Sequence, residues 1–67
     1  MDYNEVYEKY QKLVRLSDAA VREARARNIP WEKADKAMLD VKNFKAEALE
    51  DGWRTCHSYA GISVQAI

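Results

Sequence analysis

Sixty-seven residues, with 11 basic and 11 acidic side chains and 48% apolar residues, leave room for one small domain, residues 1–67. A formal net charge of zero excludes a global field that would draw in nucleic acid or an anionic membrane. Two Gly and one Pro argue against a loop-rich architecture, and the single Cys56 excludes an internal disulfide.

Size then raises a stability question. Apolar burial at ~25 cal/mol per Å² barely offsets an ordering entropy of ~1.5 kcal/mol per residue in so short a chain. Small proteins close that gap with disulfides, a metal or a second copy. With no second cysteine and no ligand set for a metal, the expectation is a homo-oligomer, in the first place a dimer. The longest uncharged stretch, Thr55 to Ile67, is too short and too polar to span a bilayer. The start, Met1-Asp2-Tyr3-Asn4-Glu5, lacks the basic and apolar regions of a signal peptide, so the reading is cytoplasmic, with Cys56 reduced.

The first predicted helix spans Asp2 to about Arg27. Asp2 and Glu5 stand at capping-box spacing, and both carboxylates suit the positive end of a helix. Tyr3, Tyr7, Tyr10, Val14, Ser17, Val21 and Ala24 alternate steps of four and three, and Val6, Leu13 and Ala20 widen the stripe. Glu5–Lys9, Glu8–Lys12, Asp18–Arg22 and Glu23–Arg27 add acid-before-base pairs one turn apart.

Asn28-Ile29-Pro30 interrupts this pattern, because Asn tolerates the left-handed conformation and Pro disfavours a helical Ile29. A second helix is predicted from Pro30 to about Asp51, with Trp31, Ala34, Ala37, Met38, Val41, Phe44 and Ala48 as its apolar stripe. Gly52 fits the residue just past its end, and Trp53 can fold back on that end. So short a break makes the helices antiparallel neighbours.

Residues 53–67 read differently. Thr55, His57 and Tyr59 alternate with Cys56, Ser58 and Ala60, and after Gly61 so do Ile62 and Val64 with Ser63 and Gln65. Period two and β-branched side chains indicate extended or β structure, with a short third helix as the alternative. The fold class is therefore mainly α: a helical hairpin with a C-terminal extended or β segment, completed by oligomerisation.

The chemistry-bearing residues are few. Zinc needs about four ligands, and Cys56-His57 has no further Cys or His to join it. A nucleophilic cysteine needs a histidine that reaches its sulfur and a group to orient that histidine, while neighbours on an extended segment point apart. Glu47, Glu50 and Asp51 read as the solvated end of a helix, where carboxyls lack the partial desolvation that acid–base chemistry requires. No Gly-rich phosphate loop is present. The expectation is a protein that is not an enzyme, with no catalytic residue, metal or cofactor.

A binding protein is the reading that remains. Leu16 and Leu39 fall off the stripes, and Ile62, Val64 and Ile67 find little core to enter, which marks an interface. The candidate dimer or partner surface comprises Tyr3, Tyr7, Tyr10, Trp31, Leu39, Trp53, Tyr59, Ile62, Val64 and Ile67, although the tyrosine ladder reads first as core seam and only second as an exposed patch. Such a chain would act as an inhibitor or adaptor that occupies another protein's surface, a role common among small bacterial and phage proteins by analogy of size and shape. The alternative is nucleic-acid or nucleotide binding by a hairpin dimer through Arg15, Arg22, Arg25, Arg27, Lys33 and Lys36. Asp18, Glu23, Glu32 and Asp35, interspersed among them, blunt that cluster.

Overall fold

Asp2 begins the first helix from just outside it. In the computed structural model, which describes residues 1–67, its extended backbone lets the carboxylate accept a hydrogen bond from the Glu5 N–H at 2.9 Å. Helix α1 then runs Tyr3–Arg27. At about 1.5 Å per residue, its 25 residues account for nearly all of the 40 Å long axis of the molecule. Asn28 ends it in the left-handed conformation, φ 52° and ψ 45°, donating its N–H to the Ala24 carbonyl.

Helix α2 spans Glu32–Glu50, two residues later than Pro30 would start it. Trp31 occupies the cap, its carbonyl accepting from the Asp35 N–H at 2.7 Å, and no side chain caps this end. At the other end Gly52 adopts φ +90°, the expected left-handed stop, so an alanine there would be strained despite open space around it. Early residues of α1 meet late ones of α2: Tyr10 stacks near Phe44, with Lys9 over the same ring, while Arg25 lies over Trp31. The helices are antiparallel.

The C-terminal segment settles on strands. β1 (Trp53–Ser58) pairs antiparallel with β2 (Gly61–Ala66), Trp53 facing Ala66, Thr55 facing Val64 and His57 facing Ile62. No helix forms here. The tip is Tyr59-Ala60, neither with positive φ, and the twist is taken up by Gly61 at φ +123°. Ser58 Oγ accepts from the Ala60 N–H at 3.3 Å and steadies the turn.

Period two divides the sheet. Trp53, Thr55, His57, Ile62 and Val64 face the helices, and Arg54, Cys56, Ser63 and Gln65 face away. The core cluster is Val6, Tyr10, Val14, Val41, Phe44, Ala48 and Val64, with Tyr7, Leu13, Trp53 and Ile62 packed on it. Towards the helix–helix turn the buried side chains are only Ser17, Ala24 and Ala34. There the predicted stripe fails: Trp31 and Met38 are about two-fifths exposed, because the sheet lies over the other half of the hairpin and leaves them uncovered.

Trp53 lies beside the last turns of α2, with Ala46 and Leu49, and also reaches the first helix. Its indole N–H donates to the Met1 carbonyl at 2.9 Å and its ring meets Tyr3 edge-on, so the indole reaches across to the beginning of α1. Close by, the Met1 ammonium pairs with Asp51. That contact raises the ammonium's pKa above the usual amine value, first through the hydrogen bond and then through the charge. Met1 is thus tied to the end of α2.

Candidate protein-binding surface

The tyrosine ladder divides in three. Tyr10 is fully buried, Tyr7 is half-buried against the core, and Tyr3 is exposed, its ring 6.0 Å from that of Tyr7. Burial pushes the Tyr10 phenol pKa up, with Cys56 adding to the shift and the nearby Thr55 hydroxyl opposing it. The phenol oxygen lies 2.7 Å from His57 Nδ1, the direction of donation depending on the imidazole tautomer. Tyr10 and Val64 lie inside this chain's own core and present no surface to a partner, which corrects the interface set drawn from the sequence. Seams of aromatic and β-branched residues read alike whether a partner or the chain's own hairpin covers them.

The remaining members lie outside. Leu39 is 52% exposed, on the side of α2 turned away from Val41 and Ala48. Tyr59, at the tip of the β-hairpin, is fully exposed, and Ile67 is largely so. Trp31 is partly covered by the Arg25 guanidinium, 5.9 Å above its ring. Trp53 and Ile62 are half-buried at the margin of the core. Leu16 on α1 and Leu49 on α2 are each 54% exposed. Leu49 was missed in the sequence reading; its position one residue past Ala48, off the stripe, was the available signal.

Three grooves border the sheet. One of about 430 Å³ opens beyond the hairpin tip, lined by Val21, Arg22, Arg25, Met38, Val41 and His57, with Asp18 also on its wall. A second, about 310 Å³, runs between α1 and β2 past Gln11, Arg15, Asp18 and Ile62. The third, about 350 Å³, lies between α2 and β1, lined by Lys45, Ala46, Leu49, Trp53, Arg54 and Thr55. Thr55 Oγ1 is buried, turned inward beside the Tyr10 phenol.

The basic residues do not form one patch. Arg15, Arg22 and Arg25 border the two grooves beside α1, with Asp18 among them. Arg27 pairs with Glu23 at 3.5 Å, and Lys33 and Lys36 line neither groove. Cys56 is exposed on the outer face of the sheet while His57 points inward to Tyr10, so the two side chains diverge. Compared with family models, curated proteins and solved structures, the chain matches none. No helix is long and apolar enough to cross a membrane.

Proposed function

We propose that this chain is a small non-catalytic binding protein, an inhibitor or adaptor that works as a homodimer by occupying the surface of another protein. One observation carries the reading: Leu16 and Leu39 expose more than half of their side chains on two helices whose own core is already filled by Val6, Tyr10, Val14, Val41 and Phe44. Isolated exposed leucines are ordinary, but here Leu49, Tyr59 and Ile67 add to them on a chain of 67 residues. Covering such side chains is the means left to a small domain with a single cysteine and no cluster of metal-ligating side chains.

Light scattering coupled to size exclusion tests the dimer, with an expected mass of at least twice the monomer's 7.8 kDa. Leu16→Glu and Leu39→Glu sit on exposed helix positions and should return the chain to a monomer with its helical circular dichroism intact. Affinity capture from the source cell should then recover one stoichiometric protein with the parent chain and lose it with the variants. A parent chain that stays monomeric at tens of micromolar and captures nothing would overturn the reading.

The second reading is nucleic-acid or nucleotide binding, favoured by Arg15, Arg22 and Arg25 along one side of α1. It requires a complex whose affinity falls steeply with salt, since phosphate contacts release counterions. Arg22→Glu would abolish that complex, whereas protein capture through Leu16 and Leu39 would survive it.

A further inference from the structure

The two strands leave both sheet edges without a strand neighbour. Which backbone groups point outward follows from one hydrogen bond, the Ile67 N–H donating to the Gly52 carbonyl at 2.9 Å. That bond continues the register beyond Trp53–Ala66, so the pair 52–67 is of the hydrogen-bonded kind. Alternation then assigns the ladder bonds to Arg54–Gln65, Cys56–Ser63 and Ser58–Gly61. On β1 it is Trp53, Thr55 and His57 whose N–H and C=O groups face outward, away from β2. None of the remaining hydrogen bonds of the chain uses them.

Of these residues, Trp53 and Thr55 border the groove between β1 and α2. Its floor includes Leu49, 54% exposed, and its charged walls are Lys45 and Arg54, with no acidic side chain among the lining residues. Thr55 also borders this groove, with its side chain turned inward beside the Tyr10 phenol. The edge of β2 offers no such combination, because an acid, Asp18, lines the groove beside it along with Arg15. Edge strands without bulge or proline are templates for strand addition.

We infer that the free edge of β1 accepts an extended acidic segment of a partner protein as a third strand, laid over α2. Apolar side chains of that strand alternate inward onto Leu49, and its carboxylates meet Arg54 and Lys45. A second copy of this chain is the wrong occupant, because pairing two β1 edges would bring both sets of Lys45 and Arg54 together with no acid between them. The proposal rests on the reading of the chain as a protein-binding module and specifies the chemistry of what it binds.

The test uses the full chain and a blocked synthetic heptapeptide, Glu-Val-Glu-Thr-Glu-Val-Glu, titrated at low salt with amide NMR detection. Saturable shifts should centre on Arg54, Thr55, Lys45 and Leu49. Three changes should each weaken binding at least tenfold: the double variant Lys45→Glu with Arg54→Glu, methylation of the peptide's edge-facing backbone nitrogens, and replacement of its glutamates by lysine. Both variant side chains are at the surface, so an unchanged circular dichroism spectrum verifies the fold. Equal affinity for the methylated peptide, shifts centred elsewhere, or no binding at millimolar peptide would each overturn the strand-addition site. Self-association through Leu16 and Leu39 is read in a separate measurement, so failure at this edge is distinguishable from failure of the binding-module reading.

Discussion

Tyr10 and His57, 47 residues apart in the chain, place a phenol oxygen and an imidazole nitrogen 2.7 Å from each other. The contact joins the middle of α1 to the inward face of β1, and it is the one side chain–side chain hydrogen bond linking a helix to the sheet. Replacing either partner has unequal consequences. Tyr10→Phe removes the bond and the buried hydroxyl together, for an expected loss of ~1 kcal/mol. His57→Ala strands the hydroxyl in the core and should cost ~1–3 kcal/mol. Urea unfolding of both single variants and the double variant should yield a coupling of the same order, and additive losses would mean the two side chains act independently.

The same phenol predicts an alkaline limit. Burial holds its folded-state pKa above the ordinary tyrosine value of 10.0, so the folded chain keeps a proton that the unfolded chain releases. The stability this contributes is fully present below the unfolded pKa and is lost as pH rises through the folded one. Thermal midpoints should therefore fall from about pH 10 upward, more steeply for the parent than for Tyr10→Phe. Absorbance near 295 nm should show one tyrosine of the four titrating late.

Val64 is the one strand residue in the central cluster, at 7% exposure. Val64→Ala should cost ~2 kcal/mol through lost contact and a residual cavity. Ending the chain at Trp53 goes further, since it uncovers Tyr10 and Val14 together. The shortened chain should lose its cooperative thermal transition, while the parent keeps a single one. A sharp transition in the shortened chain would mean that the helical hairpin is self-sufficient.

Gly61 should resist substitution although it has space. A Cβ there would meet nothing within 4 Å, yet φ +123° is a conformation that side chains other than glycine's rarely adopt. Gly61→Ala should therefore cost ~1–3 kcal/mol. D-alanine at the same position of a synthetic chain should restore most of it, which separates backbone strain from lost packing.

Much of this fold is legible before any coordinates. Asp2, Asn28 and Gly52 mark helix ends because their short or absent side chains satisfy backbone groups or permit a left-handed turn. Period two marks the strands, and opposite faces for Cys56 and His57 follow from it. The ownership of the apolar stripe is not legible. Tyr10 and Val64 carry the same pattern whether a neighbour or the chain's own β-hairpin covers them, and only the register of β1 with β2 decides. Trp31 and Met38 fail as core residues because periodicity gives a direction on the helix but not how far the covering sheet extends. The groove at Lys45, Leu49 and Arg54 was out of reach for a related reason, since it exists only where a strand edge comes to lie beside a helix.

The small buried side chains at the turn end, Ser17, Ala24 and Ala34, give the molecule a gradient of cohesion along its length. Large side chains and a covering sheet hold the other half, while the turn end has a helix start that no side chain caps. Opening from the turn exposes little apolar surface, so it requires far less energy than global unfolding. Native-state hydrogen exchange should find the amides of residues 20–37 released by local opening. Those around Tyr10, Val14, Val41 and Phe44 should exchange only when the whole chain unfolds. The protein is a clasp fastened at one end, and heat should work it loose from the other.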